Sequence, residues 1–467
     1  MIIIKFGGTS VGDAEQMRQA IEIVAAARER QPVVVVSALA GVTNQLVDAT
    51  ASAAGGDFDA AQAIIAKIRT RHEEIAFQLV KQKSDYLESF LAQLDRQIAQ
   101  IHDILRGISL VGEVSPRAKD KIVAIGEKLS SVLFAYTMRL KTLTGVHIDS
   151  EEVVVTDERF GDANPKMEET RNAAERVILP EIARHHIPAM GGFIGRSSSG
   201  ATTTLGRGGS DFSAAILGAA IRAEEIQIWT DVDGMMTSDP RIIPNARIIE
   251  RISYVEAAEL AYFGAKVLHP KTITPAVELK IPIRVLNTHN VESPGTLITE
   301  QGDASSRRPR AIAMKKGITV INIASNQMLG AHGFLARIFD VFERLEISVD
   351  LVTTSEVSVS LTIDRNDRLD ALVAGLTPFA NVDVVDNQAI IAIVGRDLLS
   401  DMRIGATVFE ALDGIPVAMI SLGKSGLNLS FVLDESNVDR AIRVLHEAIF
   451  EQVVRSPLSV LRDGTQN

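Results

Sequence analysis

The sequence has no cysteine among its 467 residues, which excludes disulfide bonds, thiol nucleophiles and zinc sites built on cysteine. It also lacks an excess of positive charge, and its net charge of −11 argues against binding to nucleic acid or to a membrane surface. No apolar run approaches the ~18 residues of a membrane span. The first residues lack the charged start and apolar core of a signal peptide, so we expect a cytoplasmic protein.

The length and the change of composition along the chain predict more than one domain. A chain of 467 residues is too long for one hydrophobic core, and two or three domains are expected. The polar stretch "EQGDASSRRPR" at 300–310 marks a boundary. We therefore predict a catalytic domain at residues 1–300, two smaller domains at 311–380 and 387–452, and a C-terminal tail at 453–467.

The first domain alternates strand-like and helix-like segments. The runs "IIIKF" and "PVVVVSAL" are continuous and apolar, and the helical pattern "DAEQMRQAIEIVAAARER" separates them. Residues 57–142 are almost entirely helix-forming, and "IPAMGGFIG", "EIQIWTD" and "IPIRVLN" supply later strands. Uninterrupted apolar strands separated by amphipathic helices indicate a parallel sheet covered on both faces, and hence an α/β domain of three layers.

The C-terminal region contains an internal repeat. Residues 341–364 align with residues 408–434, and each copy shows a helix end, a strand, a turn and a second strand. An apolar strand, "ITVINIA" or "AIIAIVG", precedes the helix of each copy. Two units of about 70 residues with this pattern predict paired ferredoxin-like βαββαβ modules. Such modules suit dimerisation or the binding of a small effector, and the residues alone leave both roles open.

Two glycine-rich segments are candidates for anion binding. In "IIIKFGGTSVG", Lys5 and a pair of glycines follow an apolar strand, which fits either an ordinary turn or a phosphate site. The second segment, "GGFIGRSSSGATTTLGRGGSD" at 191–211, lies between a buried strand and an apolar helix. Glycines allow a backbone to approach a ligand closely, and helix N-terminal amides point at anions. This position favours an anion-binding loop over a flexible linker.

Standard nucleotide-binding motifs are missing. No G-x-G-x-x-G follows a strand, and "LGKSG" at 422–426 has Ala418 where a Walker loop needs its first glycine, so we interpret it as a hairpin turn. The segment "IQIWTDVDGMMTSDPR" at 226–241 has three interpretations. It could be a calcium loop, although its glycine comes too early, or a nucleotide loop. It could also be a haloacid-dehalogenase-type phosphatase motif with Asp231 as nucleophile, although Met235 replaces the usual threonine.

Six segments occur in an order that resembles the aspartate kinases. They are "KFGGTS", "SALAGVTN", "GEKLSS", "TTTLGRGGSD", "WTDVDGMMTSDPR" and "FGAKVLHP". The two C-terminal repeats resemble the paired ACT domains of that family, and the resemblance covers the chain to about residue 450. Acetylglutamate kinase and uridylate kinase have the general fold but only some of these segments. The C-terminal region resembles that of the monofunctional, lysine-sensitive type.

The resemblance implies an amino-acid-kinase fold and an activity. Members of this family use ATP with Mg²⁺ to convert the side-chain carboxylate of L-aspartate into 4-phospho-L-aspartate, the first step of lysine, threonine and methionine (diaminopimelate) biosynthesis. That carboxylate, with a pKa near ~3.9, is ionised at neutral pH and attacks the γ-phosphorus without a general base. No resident metal site is expected. The alternatives are another kinase of this fold and a catalytically silent ACT amino-acid sensor.

The motifs of the family imply roles for individual residues. Lys5 would contact the transferred phosphate, and Asp211 would position that lysine. The residues expected to hold L-aspartate are Thr43, Glu127, Arg207 and Ser210. The residues expected to contact the nucleotide are Lys5, Gly7, Gly8, Thr9, Thr230, Asp231, Met236, Arg241 and Lys266. Met236 departs from the family, which often has tyrosine beside the adenine at this position.

The resemblance also implies regulation by an amino acid. In lysine-sensitive aspartate kinases the inhibitor binds between the ACT domains of two subunits, and we expect L-lysine here, with threonine as the alternative. Asp350 would meet the ammonium group of the lysine side chain. The residues expected to bind the effector are Met328, His332, Gly333, Phe334, Leu335, Val349, Asp350, Ser355 and Glu356. The expected assembly is a homodimer formed through the ACT domains, or a tetramer.

Overall fold

The chain forms two units in a computed structural model. The structure describes residues 1–80, 85–141, 143–264, 268–303, 309–329, 332–398 and 402–451. The first unit contains Met1–Met235, Glu250–Tyr254 and Val267–Gly302, and the second contains Met236–Ile249, Val255–Lys266 and Asp303–Asn467. The second unit therefore includes two short segments that come well before the C-terminal region in sequence.

A mainly parallel sheet of eight strands organises the first unit. The strands of this unit are β1 (Ile2–Phe6), β2 (Pro32–Val36), β3 (Gly145–His147), β4 (Val155–Thr156), β5 (Ile187–Gly191), β6 (Ile194–Ser197), β7 (Thr202–Thr204), β8 (Glu225–Thr230), β9 (Arg251–Ser253), β10 (Ile283–Asn287) and β11 (Thr296–Thr299). The order across the main sheet is β3-β5-β2-β1-β8-β10-β11-β9, and β4, β6 and β7 form a separate small sheet. Only β10 and β11 are antiparallel neighbours among the pairs described in the main sheet. The predicted α/β fold is confirmed.

Helices lie between these strands along the chain. They are α1 (Ala14–Ala26), α2 (Val42–Ala54), α3 (Phe58–Leu79), α4 (Asp85–Val111), α5 (Pro116–Val123), α6 (Ile125–Leu140), α7 (Met167–Ala183), α8 (Gly209–Ile221), α9 (Tyr254–Tyr262) and α10 (Pro270–Glu278), with α9 almost wholly in the second unit. Local capping fixes several starts: Asp13 accepts from the N–H of Gln16, and Ser115 caps α5 just before Pro116. The long helical stretch predicted at 57–142 corresponds to α3 to α6.

The first strand shows why its apolar run is continuous. β1 pairs in parallel with β2 on one side and β8 on the other, and Ile2, Ile3, Ile4 and Phe6 are fully buried. A strand covered on both faces needs apolar side chains at almost every position. Lys5 is the exception in this strand, although only 8% of it is exposed. It lies near the carboxyl end of a central strand, where open α/β sheets bind their ligands.

A six-stranded antiparallel sheet organises the second unit. Its strands are β12 (Pro309–Ala324), β13 (Val352–Thr354), β14 (Ser358–Asp364), β15 (Asn381–Gly395), β16 (Met419–Leu422) and β17 (Asn428–Asp434), in the order β13-β14-β12-β15-β17-β16. Its helices after α9 are α11 (Phe334–Arg344), α12 (Leu369–Leu376), α13 (Met402–Ala411) and α14 (Val438–His446). Each half of the sheet contains the predicted strand–helix–strand–strand order.

The two central strands each serve both halves of this sheet. Residues 318–324 of β12 pair with residues 381–388 of β15, whereas residues 309–315 pair with residues 390–395. A shift of register in the middle of β12 separates the two sets of pairs. The first half of β12 thus completes the second module, although it precedes the first module in sequence. The domain bounds given above stay predictions, and we propose to assign residues 309–315 to the second module.

Amphipathic helices bury one side against this sheet. In α11 the buried residues Phe334, Ile338, Val341 and Phe342 follow the spacing of one helical face, and they share a hydrophobic cluster with β12 and β14. A second cluster joins α13 and α14 to β15 and β17. The segment 422–426 lies at the turn between antiparallel β16 and β17, as predicted. In the part of the chain that the structure describes, no helix is long and apolar enough to cross a membrane.

Candidate active site

A cavity of about 550 Å³ opens in the first unit among the loops that follow β1 and β2 and the start of α8. It is lined by Lys5, Gly8, Ser37, Ala38, Leu39, Ala40, Gly41, Thr43, Asn44, Glu127, Phe193, Gly206, Arg207, Gly208, Gly209, Ser210 and Asp211. Segments that are far apart in sequence therefore meet at one place. Both residues expected to be catalytic and all four expected to hold aspartate lie on this cavity.

A buried ion pair stands at the centre of this lining. The Lys5 Nζ lies 2.6 Å from Oδ1 of Asp211, and their side chains are only 10% and 16% exposed. Lys5 comes from β1, and Asp211 comes from the first turn of α8. A buried ammonium group needs such a partner because removing it from water is costly. The pair therefore holds a positive charge against the cavity in a fixed place.

The double glycine after β1 allows two loops to pack closely. The Gly7 N–H donates to the carbonyl oxygen of Trp229 at 3.1 Å. A Cβ at Gly8 would lie 2.8 Å from the carbonyl oxygen of Ala38, so any side chain there would displace the loop after β2. The Ala40 N–H in turn donates to the carbonyl oxygen of Gly8. Neither glycine has a positive φ, so close approach of the backbone is what requires them.

The second glycine-rich segment brings a helix N-terminus to the cavity. Gly208 caps α8 with a φ of 69°, in the left-handed region that glycine adopts readily. A Cβ at Gly192 would lie 2.6 Å from the Cβ of Ser210, so a larger residue there would push Ser210 away. Arg207 lies between two glycines with positive φ, and its side chain is exposed. Free amides at the start of α8 favour an anion in this cavity.

Glu127 is the most perturbed acid in the site. It lies in the first turn of α6, only 4% of it is exposed, and burial raises its pKa from 4.5 to about 8. Its Oε2 atom accepts no hydrogen bond from any residue that the structure describes. A buried carboxylate oxygen without a partner is unfavourable, although backbone hydrogen bonds involving Ala38 and Glu127 itself partly offset the effect of burial, and an ammonium group is the ligand that would relieve it. Thr43, in the first turn of α2, lines the same cavity.

The residues expected to bind the nucleotide are distributed between the two units. Gly7, Gly8 and Thr9 follow β1, and Thr230 ends the neighbouring parallel strand β8, so these segments share one edge of the sheet. The Thr230 hydroxyl donates to Oδ1 of the exposed Asp231 at 3.1 Å.

Met236 and Arg241 belong to the second unit. The exposed Arg241 pairs with Asp239, with 2.6 Å between Nη2 and Oδ2. Lys266 lies outside the described residues.

Hydrogen bonds hold the second aspartate of the D-x-D-G segment in place. Asp233 accepts hydrogen bonds from Asn287 at 2.8 Å and Asn290 at 3.0 Å, so it fastens the loop after β8 to the loop after β10. Within the described residues, no group of three or more histidine or acidic side chains is arranged to hold a metal ion. Asp231 follows β8, which lies beside β1 in the main sheet.

The residues expected to bind the effector lie in the second unit. Met328, Phe334 and Val349 contribute to the hydrophobic cluster beneath α11, and Gly333 caps that helix with a φ of 80°. Of the others, His332 lies just before α11, and Leu335 is in its first turn. Asp350 lies shortly before β13, and Ser355 and Glu356 lie at the turn between β13 and β14.

Asp350 is the buried acid of this group. Its Oδ1 atom lies 2.8 Å from Lys315 Nζ and accepts from the Tyr262 hydroxyl at 2.6 Å. Burial and the bond to Asp350 raise the pKa of Tyr262, and the bonds to Asp350 and Asp364 raise that of Lys315 against the opposing effect of burial. The Oδ2 atom of Asp350 accepts no hydrogen bond from any residue in the described ranges. One oxygen is thus engaged within the chain and the other is available to a cation.

Sequence reasoning missed several parts of these sites. Phe193 lines the cavity with a φ of 65°, and its N–H donates to Ser213 at 2.8 Å. An aromatic residue inside the glycine-rich segment was the available signal. Lys315 and Tyr262 were not predicted as partners of Asp350, because nothing in the local sequence links three segments that only the fold brings together.

Comparison with known proteins agrees with this geometry. The profile of the amino acid kinase family matches residues 1–287, and that of the ACT domain matches residues 321–374 and 391–449. The fold and the cavity thus define an amino acid kinase with ACT domains.

Relatives of full length refine this class. Aspartokinase 2, chloroplastic, of Arabidopsis thaliana is 36% identical over 96% of this chain and 84% of its own length. Lysine-sensitive aspartokinase 3 of Escherichia coli K12 is 35% identical over 97% of this chain and 99% of its own. The chain belongs to the aspartokinase family, as its six segments predicted, and it is therefore a kinase.

Solved structures show the same likeness. E. coli aspartokinase III in complex with aspartate and ADP (R-state) is similar with a TM-score of 0.83, at 35% identity over 97% of this chain and 100% of that one. The complex of that enzyme with lysine and aspartate (T-state) has a TM-score of 0.80 over the same shares of both chains.

Proposed function

We propose that this chain transfers the γ-phosphoryl group of ATP to the side-chain carboxylate of L-aspartate, giving 4-phospho-L-aspartate and ADP. The observation that carries the proposal is a single cavity lined by a fixed lysine, a buried glutamate with one unpartnered oxygen, an arginine and a helix N-terminus. The relatives named aspartokinase, one of them solved with aspartate and ADP, support it. The test is to measure ADP formation from Mg-ATP with and without L-aspartate.

The reaction needs positioning and positive charge more than acid–base chemistry. An oxygen of the ionised carboxylate forms a bond to the γ-phosphorus while the bond from that phosphorus to the bridging oxygen breaks, and ADP takes the electron pair. Lys5, held by Asp211, stabilises the negative charge on the transferred group. The amides at the start of α8 and the glycines after β1 add further donors.

The zwitterionic substrate matches the remaining groups of the cavity. Glu127 pairs with the α-ammonium group, and Arg207 grips a carboxylate through two parallel hydrogen bonds. Thr43 and Ser210 supply hydroxyl groups from the starts of α2 and α8. Mg²⁺ enters with ATP as part of the substrate, held mainly by phosphate oxygens and water. The residues that we propose to contact the nucleotide are Gly7, Gly8, Thr9, Thr230, Asp231, Met236, Arg241 and Lys266.

The affinity for aspartate should depend on pH because Glu127 must lose a proton to bind. Burial raises its pKa to about 8 in the free enzyme, and pairing with an ammonium group lowers it. The complex then binds fewer protons than the free enzyme, so binding strengthens as pH rises toward 8. We expect KM for aspartate to fall roughly tenfold between about pH 6.5 and 8.0. Initial rates over this range measure it, and the Glu127→Gln variant should show no such slope.

We further propose that L-lysine inhibits this enzyme by binding at the ACT modules of a homodimer, which could assemble further into a tetramer. The likeness to a lysine-sensitive relative and to a structure that contains lysine supports the identity of the effector. The Oδ2 atom of the buried Asp350, which accepts no hydrogen bond from the described residues, supports Asp350 as the partner of the ammonium group of the lysine side chain. The enzyme would act in the cytoplasm at the start of lysine, threonine and methionine biosynthesis.

Asp350→Asn should make the enzyme far less sensitive to lysine. The amide keeps the shape and can still accept hydrogen bonds from Lys315 and Tyr262, but it loses the charge that attracts an ammonium group. We expect the lysine concentration for half inhibition to rise about tenfold or more, with kcat unchanged. The matched control is Asp364→Asn, which alters the exposed second partner of Lys315 and should keep normal inhibition. Normal inhibition of Asp350→Asn would overturn the assignment.

A further inference from the structure

The segment Met236–Ile249 is built on the regulatory fold rather than on the catalytic sheet. It belongs to the second unit, where Ile242, Ile243 and Ala246 pack into the hydrophobic cluster formed by α13, α14, β15 and β17. The same segment carries Met236 and Arg241, which the proposed function places against the nucleotide. The segment that carries these two residues is thus anchored in the core of the second ACT module.

Thr237 fastens the start of this segment through its backbone. Only 8% of it is exposed, its N–H donates to the Arg247 carbonyl oxygen at 2.9 Å, and its own carbonyl oxygen accepts from the N–H of Ile312 in β12 at 2.8 Å. Its hydroxyl oxygen accepts from the N–H of Arg247 at 3.0 Å. The residue directly after Met236 therefore has all its backbone polar groups engaged.

The hydroxyl of Thr237 also forms a hydrogen bond with the buried His446. His446, at the end of α14 and 1% exposed, places Nε2 at 3.1 Å from Thr237 Oγ1 and Nδ1 at 3.1 Å from Oε1 of Glu451. A carboxylate can only accept, so Nδ1 carries the proton, and Nε2 of a neutral ring accepts from the hydroxyl of Thr237. Asn245 donates to the same Glu451 oxygen at 2.9 Å, which closes the network around the segment.

We propose that Thr237 and His446 are positioning residues for ATP, in that their hydrogen bond fixes the segment that presents Met236 and Arg241 to the nucleotide. This inference rests on the proposed function. Between the two nucleotide residues the chain turns tightly, because the carbonyl oxygen of Asp239 accepts from two following N–H groups and its carboxylate holds Arg241. Because this turn is short and held by hydrogen bonds, a displacement of Thr237 should also displace Met236 and Arg241.

The test compares Thr237→Val, His446→Leu and the double variant in the full-length enzyme. Removing one buried hydrogen bond should raise KM for ATP roughly five- to thirty-fold, whereas KM for aspartate should change less than about twofold. The double variant should raise KM for ATP by less than the product of the two single effects, because both single variants remove the bond between Thr237 and His446. His446→Gln, whose side-chain amide can still bond to Thr237, should restore part of the ATP affinity.

The matched control is Thr377→Val, which removes an exposed hydroxyl that donates to the Val373 carbonyl oxygen in the preceding turn of α12. It should leave both KM values unchanged. The inference is overturned if Thr237→Val and His446→Leu lower thermal stability but leave KM for ATP at the wild-type value, or if both KM values rise equally. If the wild-type enzyme forms no ADP in response to aspartate, the proposed function fails instead, and the two failures are distinguishable.

Discussion

Lys5→Ala is expected to lower kcat at least ~10²-fold, because it removes a charge that stabilises the transferred phosphoryl group. The Lys5 ammonium group is buried and lies 2.6 Å from the Asp211 carboxylate. β1 and the loop after it contain no second lysine that could replace it. The effect should fall mainly on kcat, and KM for aspartate should change little because that substrate is held by Glu127 and Arg207. Steady-state rates with saturating Mg-ATP and aspartate measure the loss.

A matched variant separates this role from a loss of folding. Lys128 is also largely buried and is paired with Asp149 and Glu151, but it does not line the cavity. Lys128→Ala should therefore disturb stability to a similar degree while leaving most of kcat. Near-normal turnover of Lys5→Ala, or equal losses in the two variants, would refute the assignment of Lys5.

Glu127→Gln is expected to raise KM for aspartate roughly 100-fold, since the α-ammonium group loses its only expected anionic partner and a charge-assisted hydrogen bond disappears. The amide has the shape of the protonated acid, which is the form that burial favours in the empty site. kcat at saturating aspartate should fall much less than kcat/KM. Titration of initial rate against aspartate measures the change.

The same variant has a defined effect on stability. Folding raises the pKa of Glu127 from 4.5 to about 8, so its contribution to stability is fully present below about pH 4.5 and is lost as pH rises toward 8. Glutamine carries no such proton, and the variant should be at least as stable as the wild type at pH 8. A suitable control is Glu225→Gln, at the opposite end of β8, where the acid pairs with Arg30 and Arg284. That change should lower stability and leave KM for aspartate unaltered.

The strands and their parallel pairing were predictable from the sequence because burial on both faces imposes an apolar run. Lys5 stood out for the same reason, as a charge inside such a run. The glycine-rich segment at 191–211, placed between an apolar strand and an apolar helix, likewise led to the prediction of an anion-binding loop. These signals are local, since each depends on the residues of one strand or one turn.

The remaining features depend on contacts between distant segments. The double use of β12 and β15 follows from a register shift that no periodicity reveals. The pairing of Thr237 with His446 joins positions more than 200 residues apart, and the segment that contains Thr237 gives no sign of this distant partner. The raised pKa of Glu127 follows from its burial, and the sequence of the helical segment around an acidic residue does not show whether that residue is buried. Charge and packing at these positions are set by the whole fold.

The most direct test of the account is ADP formation from Mg-ATP by the wild-type chain with and without L-aspartate, together with trapping of the acyl phosphate by hydroxylamine. We predict ADP formation that requires aspartate, in equal amounts with a hydroxamate of aspartate. Turnover that does not depend on aspartate, or ADP without a trapped acyl phosphate, would contradict the assignment of this cavity as the site of aspartate phosphorylation.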